Sequence, residues 1–551
     1  MKKKSNLKIC LAQLNPIVGD IEYNRKKVIN TIQKHQDVDL IVFPEMFLVG
    51  YPLMDHIYDP IIKKRNKEAI EKIRKKSSNS AIILGTFTES LNVKDKLHPF
   101  YNSALLIQEK KIKAIINKRL LPDYDVFNER RYFSFDNEFS PIKINDYDVG
   151  ILICEDLWDE NYDIKVAKGL HDNGADILIV INASPYHMNK FELRRKIVSN
   201  KARKLSLPII YLNMVGGLDE IVYDGSSFAV NEYGEITFKM NSFEEQVKVV
   251  DMMKLTQKSG SHTNLEKNWR KDVLNALKLN LYDYYHKSGI FEGVVLGLSG
   301  GIDSAFTAYV CAKALGSEKV TAIMMPTRFT SQESIDDAKK LCSNLNIKYI
   351  VHSIDDLFEK YENSIEDYLG TLKFDIADEN LQARIRATLL MYYSNKFNWL
   401  LVSTGNKSEI GVGYCTLYGD TNGGKNIPGD LFKVQIYDIC EYINKEIEII
   451  PKNIILRAPT AELREDQKDT DSLPPYEILD KILENIIKKG IGSDVENLTK
   501  QGIDINTIKK IEQLYLSSEY KRRQLVQTIK VSETAFGIGR KYPVLKRVNI
   551  E

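Results

Sequence analysis

The sequence predicts two α/β domains in succession, and three observations carry that reading. The first half alternates short apolar runs rich in branched residues with polar, helix-periodic stretches, the pattern of a layered α/β domain. Around Met252–Asn268 the strands stop and the chain turns polar, through Gln257-Lys258-Ser259-Gly260-Ser261-His262-Thr263-Asn264, which marks a boundary. The second half opens with a helix, then an apolar strand, a glycine turn and another helix, the order of a phosphate-binding α/β unit. A length of 551 residues accommodates both, since domains run to roughly 100–200 residues each.

Taken in order, strands are expected at Ile9–Leu14, Leu40–Phe43, Ala81–Leu84, Ala104–Ile107, Val149–Cys154, Ile177–Ile181 and Pro208–Leu212, with helices such as Glu22–His35 between several of them. Tyr101–Lys110 with Lys113–Lys118, and Ser226–Asn231 with Glu235–Met240, read as hairpins, so the sheet is mixed and not simply doubly wound. The second half begins with the helix Trp269–Ser288, the strand Gly293–Leu298 and a helix through Ala314. Strands at Val320–Met325, Ile347–Val351 and Leu400–Thr404 continue it, and the tail from Lys481 to Glu551 reads as helical with basic patches. The expected domains are 1–255 and 270–551, joined by a linker over 256–269.

Composition excludes several classes. Hydrophobic residues make up 43% and charged residues 28%, the usage of a folded globular protein. A net charge of +2 supplies no field to hold a polyanion, so nucleic acid is not an expected partner. No apolar run approaches the roughly 20 residues of a spanning helix, and Leu7-Lys8-Ile9-Cys10-Leu11-Ala12-Gln13, behind the basic start Met1-Lys2-Lys3-Lys4, is too short and broken for a signal segment. No membrane is implied, and the expected compartment is the cytoplasm. The six cysteines, at 10, 154, 311, 342, 415 and 440, have no Cys-x-x-Cys spacing and no histidine cluster beside them, which argues against a disulfide framework or a zinc site.

The loop Gly297-Leu298-Ser299-Gly300-Gly301-Ile302-Asp303-Ser304 lacks the lysine of a Walker motif but is a phosphate cradle in physical terms. Gly300 and Gly301 allow a sharp backbone turn, and the amides with the Ser299 and Ser304 hydroxyls can face an anion at a helix start. Two glycines alone would be an ordinary strand-to-helix turn. Ser-Gly-Gly-x-Asp-Ser after an apolar strand is more specific and resembles the pyrophosphate loop of the ATP pyrophosphatases, a Rossmann-like fold that cleaves ATP between its α and β phosphates. Further segments follow in order: Glu379-Asn380-Leu381-Gln382-Ala383-Arg384-Ile385-Arg386, Ser403-Thr404-Gly405-Asn406-Lys407-Ser408-Glu409, Tyr418-Gly419-Asp420, Ala458-Pro459-Thr460-Ala461-Glu462-Leu463 and Leu473-Pro474-Pro475-Tyr476. Together they resemble the motif set of NAD synthetases over roughly residues 270 to 545.

That resemblance implies that the carboxylate of nicotinic acid adenine dinucleotide (deamido-NAD) attacks the α-phosphate of ATP, and that ammonia then displaces AMP from the adenylate. It implies Asp303 and Glu409 as Mg²⁺ ligands, Thr404, Lys433 and Thr460 at ATP, and Asn380, Glu409, Asp420 and Lys521 at deamido-NAD. Tyr520-Lys521-Arg522-Arg523-Gln524 fits the family's C-terminal motif, after which Leu525-Val526-Gln527 stands where relatives often carry proline and glycine.

Amidation needs ammonia, and the first half holds the parts of an amidase. Cys154 ends an apolar strand before Glu155-Asp156-Leu157-Trp158, where a strand-to-helix turn is expected to expose the thiol and lower its pKa. Val42-Phe43-Pro44-Glu45-Met46 sets a carboxylate just past a strand, suited to take the thiol proton, and Asn117-Lys118-Arg119-Leu120-Leu121-Pro122 sets an ammonium that could steady an oxyanion. Alone, the cysteine would be an inert core residue, and the Glu or the Lys an ordinary solvated strand end. In the order Glu, Lys, Cys they resemble the nitrilase (carbon–nitrogen hydrolase) family over roughly residues 5 to 250, which implies an α-β-β-α sandwich and a Glu45–Lys118–Cys154 triad. The same resemblance implies that Glu129 positions the lysine, the other reading being a salt bridge to Arg130 or Arg131, and that Tyr124, Ser184 and Lys190 bind glutamine. His187 is read as structural.

The two resemblances complement each other, one producing ammonia and the other consuming it. They imply a glutamine-dependent NAD synthetase with an internal ammonia tunnel, acting on small molecules (glutamine, ATP and deamido-NAD) and self-associating as a dimer or larger. The competing readings are a chain that uses free ammonia, an amidotransferase of the same pyrophosphatase type making GMP or asparagine, and a nucleotide-binding scaffold without turnover.

Overall fold

The computed structural model describes residues 5–89, 99–257 and 268–548. The basic start at residues 1–4 and most of the expected linker, residues 258–267, lie outside the described residues. The chain folds as two compact units, Met1–Gly216 with Val222–Lys267, and Gly217–Ile221 with Asn268–Glu551.

The strands of the first unit are, in order, β1 (Lys8–Gln13), β2 (Leu40–Val42), β3 (Ala81–Glu89), β4 (Phe100–Gln108), β5 (Lys111–Asn117), β6 (Ile142–Ile144) and β7 (Tyr147–Ile153). They continue with β8 (Ile177–Asn182), β9 (Ile209–Asn213), β10 (Val215–Leu218), β11 (Ile221–Asp224), β12 (Phe228–Val230), β13 (Ile236–Lys239) and β14 (Gln246–Asp251). The helices are α1 (Ile21–Lys34), α2 (Pro60–Lys76), α3 (Val166–Asp172), α4 (Lys190–Leu205) and the short α5 (Met252–Leu255). Two six-stranded mixed sheets result, ordered β14-β1-β2-β3-β4-β5 and β13-β12-β9-β8-β7-β6. Both expected hairpins form, β4 with β5 and β12 with β13, each antiparallel.

Strand β8 shows why the central runs are apolar throughout. Ile177, Ile179 and Ile181 point into the core between the sheets, while Leu178 and Val180 join Val198 and Ala202 of α4 on the other face. The two-residue period buries both sides of the strand, so no polar position interrupts it. Helix α1 starts where Asp20 accepts from Tyr23 N, and it buries Ile21, Val28 and Ile32 along one stripe. Strand β7 stops at Ile153, one residue short of the expectation. Cys154 instead begins the single 3-10 turn Cys154–Leu157 and has φ +47°.

The second unit carries β15 (Gly293–Gly297), β16 (Val320–Met324), β17 (Lys348–Val351), β18 (Trp399–Ser403) and β19 (Lys425–Asn426) in one parallel sheet, ordered β17-β16-β15-β18-β19. Its helices are α6 (Trp269–Ser288), α7 (Ile302–Leu315), α8 (Gln332–Leu345), α9 (Asp355–Leu369), α10 (Ile376–Phe397), α11 (Lys407–Val412) and α12 (Lys433–Ile443), then α13 (Lys452–Leu456), α14 (Tyr476–Lys489), α15 (Val495–Lys500), α16 (Ile505–Ser517) and α17 (Glu519–Arg522). The strand order reverses between β15 and β18, so the loops after these two strands meet at the carboxyl edge, where open α/β sheets bind ligands. The helical tail ends at Arg522. Beyond it, residues 523–548 contain no helix, contrary to expectation, because their backbone groups bond to other segments, as in Ile529 N to Asn426 O and Asn426 N to Gln527 O.

The second unit also takes in the tip of the β10–β11 hairpin. Asn280 Nδ2 of α6 donates to Asp219 O and Ile221 O, and Lys530 N donates to Glu220 O. No described helix is long and apolar enough to cross a membrane.

Candidate active sites

In the first unit, three residues distant in sequence meet in a closed interior. Lys118 Nζ lies 2.7 Å from Glu45 Oε1 and 2.8 Å from Glu129 Oε1. Glu45 is held from other directions as well, by Asn102 Nδ2 at 2.7 Å on Oε1 and by Ala183 N at 2.8 Å on Oε2. Gly85 makes that placement possible, since a Cβ there would stand 2.1 Å from Pro44 O and 2.5 Å from Met46 N. Glu129 accepts from Tyr51 Oη at 2.8 Å, and no described contact joins it to Arg130 or Arg131.

Cys154 is buried in the same cluster. Burial, then the Glu45 carboxylate, push its thiol well above the ordinary range, and Lys118 opposes them. The thiol is therefore neither exposed nor pre-ionised, which corrects the expectation from the turn. A one-turn 3-10 helix cannot offset desolvation and three nearby carboxylates. Burial works against the Lys118 ammonium, but Glu129 and Glu45 outweigh it and hold the lysine charged.

Two acids that sequence reasoning left without a role complete this site. Asp156 accepts from Arg119 N, Leu120 N and Ile153 N at 2.9–3.0 Å, which clamps the segment after Lys118 to the turn that carries Cys154. Glu155, also buried, accepts from Tyr124 Oη at 3.0 Å and from Tyr162 Oη at 3.0 Å. Their one signal in the sequence is adjacency to the cysteine. Burial raises the Glu155 carboxyl above its ordinary range, against the pull of Lys118, the Tyr124 and Tyr162 hydroxyls and, least, Lys190, whose ammonium lies 4.4 Å from the Trp158 ring. Ser184 is fixed by Asn213 Oδ1 on its amide and by Arg194, which donates to its hydroxyl and its carbonyl. His187 Nδ1 bonds the neighbouring Met188 carbonyl.

In the second unit, two adjoining clefts of about 280 and 180 Å³ lie over the loops after β15 and β18. Gly297, Leu298 and Ser299 line the larger, which is mostly apolar and also takes in Arg386 from the quoted motif set. Ser299, Gly300, Gly301, Ile302, Asp303 and Ser304 line the smaller, together with Thr404, Glu409, Lys433 and Thr460. Gly300 has φ +83°, and a Cβ on it would stand 2.4 Å from Ser334 O, so both its conformation and its packing require glycine.

Lys433 Nζ sits between the two expected metal ligands, 2.5 Å from Asp303 Oδ2 and 3.2 Å from Glu409 Oε1. Asn406 organises the pair. Its Oδ1 accepts from Glu409 N as the cap of α11, and its Nδ2 donates to Asp303 Oδ1. No group of three or more His, Cys, Asp or Glu close enough to cage a metal occurs among the described residues. Two carboxylates facing a phosphate cradle suit Mg²⁺, which keeps waters and substrate phosphates in its shell and needs few protein ligands. Asp469 adds a carboxylate to the same cleft, where it accepts from Tyr476 Oη at 2.8 Å.

Asn380, Asp420 and Lys521 gather around the turn 413–420. Asn380 Oδ1 accepts from Thr416 Oγ1, Asp420 Oδ1 accepts from Thr416 N, and Lys521 Nζ donates to Gly413 O and Cys415 O. Burial pushes Asp420 up to about 6. Lys521 thus braces the turn with its ammonium.

Both halves of the chain match known families. Residues 8–258 match the carbon-nitrogen hydrolase family and residues 273–525 the NAD synthase family. The glutamine-dependent NAD(+) synthetase of Synechocystis is 38% identical over 97% of this chain and 98% of its own length. That of Thermotoga maritima is 38% identical over 98% of this chain and 99% of its own. Among solved structures, the glutamine-dependent NAD+ synthetase of Acinetobacter baumannii in complex with ADP is 35% identical, with a TM-score of 0.77 over 98% of both chains.

Proposed function

The chain belongs to the glutamine-dependent NAD(+) synthetases, and on that premise we propose which of its residues run each half of the reaction. In the first unit Glu45 takes the proton of Cys154 Sγ as the sulfur attacks the side-chain carbonyl carbon of glutamine. The negative charge passes from carboxylate to sulfur to the tetrahedral oxyanion, which the Lys118 ammonium steadies. Glu129 holds Lys118 in place. Collapse breaks the C–N bond, the leaving nitrogen takes the proton back from Glu45 and departs as ammonia, and water hydrolyses the thioester to glutamate. Tyr124, Ser184 and Lys190 bind glutamine, and the buried Glu155 carboxylate receives its ammonium.

A buried, protonated thiol serves this scheme. Deprotonation then occurs only with substrate in place and water excluded, so glutamine is not hydrolysed at an open site.

In the second unit the carboxylate of deamido-NAD displaces pyrophosphate from the α-phosphate of ATP, and ammonia displaces AMP from the resulting adenylate. The Ser299–Ser304 loop and Lys433 hold the phosphates, Thr404 and Thr460 hold ATP, and Asn380, Glu409, Asp420 and Lys521 form the dinucleotide side. Mg²⁺ held by Asp303 and Glu409 would supply charge neutralisation at the phosphates. Lys433 lies within reach of both carboxylates and lines the same cleft as the phosphate loop, where it would donate to a phosphate oxygen.

Ammonia passes internally from one centre to the other, in a cytoplasmic enzyme that assembles as a homodimer or larger. In support of self-association, the second unit exposes apolar side chains, Tyr349 and Val351 on the edge strand β17 and Tyr361, Tyr368 and Leu369 on α9.

The observation that carries the reading is the convergence of Glu45, Lys118 and Glu129 within 2.8 Å around one ammonium beside a buried cysteine. The test compares wild type with Cys154→Ala for NAD formation from deamido-NAD, ATP and Mg²⁺, with glutamine and with ammonium. Loss of the glutamine reaction alone is expected. Retention of both would refute the amidase assignment, and absence of NAD from either nitrogen source in wild type would refute the second-unit scheme.

A further inference from the structure

The two oxygens of the Glu45 carboxylate are not equivalent. Among the described residues, Oε1 accepts from Asn102 Nδ2 and from Lys118 Nζ, both at 2.7 Å, whereas Oε2 accepts only from Ala183 N, at 2.8 Å. A carboxylate offers about four lone-pair positions, two on each oxygen. Oε1 is therefore filled, and Oε2 keeps one position for a further donor. Asn102 brings about this asymmetry from β4, where it pairs with Phe87 of β3 and is fully buried. Its main chain places the second donor as well, because its carbonyl accepts from Lys118 N at 2.8 Å just where the chain leaves β5. The carboxylate dictates which way the amide faces, since the opposite orientation would set Asn102 Oδ1 against Glu45 Oε1, two acceptors with no proton between them. In the orientation found, Oδ1 is buried without a donor. An unpartnered buried oxygen costs free energy, so a residue kept for packing alone would be better replaced by an apolar side chain of the same shape.

Resting on the reading that Glu45 takes the proton of Cys154, we propose that Asn102 is a positioning residue of the amidase reaction, which saturates Glu45 Oε1 and so makes Oε2 the oxygen that receives the thiol proton. In that step the S–H bond breaks, an O–H bond forms at Oε2, and the electron pair of the broken bond stays on sulfur to attack the amide carbon. When the C–N bond breaks, the proton leaves Oε2 for the departing nitrogen and the carboxylate is restored. Both transfers use the same lone-pair position, so the carboxylate need not turn between them and Lys118 keeps its place on Oε1. Asn102 also favours the carboxylate over the carboxyl, because a charged acceptor gains more from an N–H donor than a neutral one. The charged or titratable groups that act on Glu45 are Lys118 at the end of β5, Glu129 in the turn Glu129–Arg131, Cys154 in the turn after β7, and Tyr51. All four stay in place when Asn102 alone is changed.

The test uses the full-length enzyme with Asn102→Leu, which removes the N–H donor, and Asn102→Asp, which keeps the shape and sets an acceptor in its place. Glutamate release is measured as a function of pH, with ammonium-supported NAD formation followed in parallel. In both variants the acid limb of kcat/KM for glutamate release is expected to move up by about one to two pH units, because Glu45 binds a proton more readily without its donor or beside a second carboxylate. KM for glutamine and the ammonium-supported rate stay at the wild-type level. A loss of equal size at every pH is what a packing residue would give and overturns the proposal, as does a wild-type profile. Should Asn102→Leu fail to fold, Asn102→Asp decides by the same criterion. If Cys154→Ala abolishes glutamate release while the Asn102 variants keep the wild-type profile, the inference alone falls. If Cys154→Ala still releases glutamate at the wild-type rate, the reading beneath the inference fails and the inference falls with it.

Discussion

Replacing Lys118 with methionine removes the single cation between two buried carboxylates. Lys118 Nζ lies 2.7 Å from Glu45 and 2.8 Å from Glu129, and none of the three side chains is more than 3% exposed. Methionine keeps most of the volume, so the loss is of charge and not of packing. Breaking a buried pair from one side costs about 3–5 kcal/mol, since the remaining charge is left uncompensated. Proton uptake limits that cost. Glu129 is pushed up to about 7 by burial, against the pull of Lys118 and with the push of Glu45, and without Lys118 it rises further. The folded variant then keeps a proton that the unfolded chain releases above roughly pH 4.3, so acid favours its folded state. Above about pH 7, where wild-type Glu129 ionises, the stability gap widens by about 1.4 kcal/mol per pH unit until the variant's carboxylate ionises too. The measurement is urea unfolding of the first unit at about pH 6 and about pH 8, with glutamate release followed in parallel. Glutamate release is expected to drop by about 10²–10³ with ammonium-supported synthesis retained. A gap independent of pH, or glutamate release at the wild-type rate, would refute the reasoning.

Gly85→Ala puts a Cβ 2.1 Å from Pro44 O and drives the Glu45 segment from its place, so glutamate release should fall by about 10²-fold while ammonium-supported synthesis persists. An unaffected glutaminase rate would show that Glu45 tolerates the shift. Glu155→Gln removes the charge that faces the glutamine ammonium and should raise KM for glutamine by about 10–100-fold with little change in kcat, read from steady-state glutaminase kinetics. Lys425 is fully buried and lowered by burial to about 8 from an ordinary 10.5. Between these values only the unfolded chain holds the proton, so wild type should gain stability over Lys425→Met by about 1.4 kcal/mol per pH unit as pH rises through that window. A flat difference between the two denaturation series would contradict it.

What the residues determined alone is local or periodic. Hydrophobic spacing placed the central strands of both units and helices α1, α6 and α7, because burial on one or both faces is written in it, whereas β6, β10, β11, β14 and β19 and most other helices were not read from it. The phosphate loop was legible for the same reason, since a left-handed backbone at Gly300 and a helix start after it are demands made on adjacent residues. Glu45, Lys118 and Cys154 were recognisable as candidates because, each beside a strand and in the order Glu, Lys, Cys, they resemble the nitrilase family.

Tertiary structure decided everything that depends on partners arriving from elsewhere in the chain. The Cys154 thiol was expected low from its turn and stands high, because desolvation and carboxylates from positions 45, 129 and 155 converge on it. Asp156 and Glu155 have no periodic signature, and their roles exist only once Lys118, Tyr124 and Tyr162 are folded against them. Lys521 is an ordinary lysine in sequence and a brace in the fold. Hydrophobic spacing encodes that a position is buried, whereas the charge state and the hydrogen-bond balance of a buried polar group are set by which distant groups share its low-dielectric surroundings.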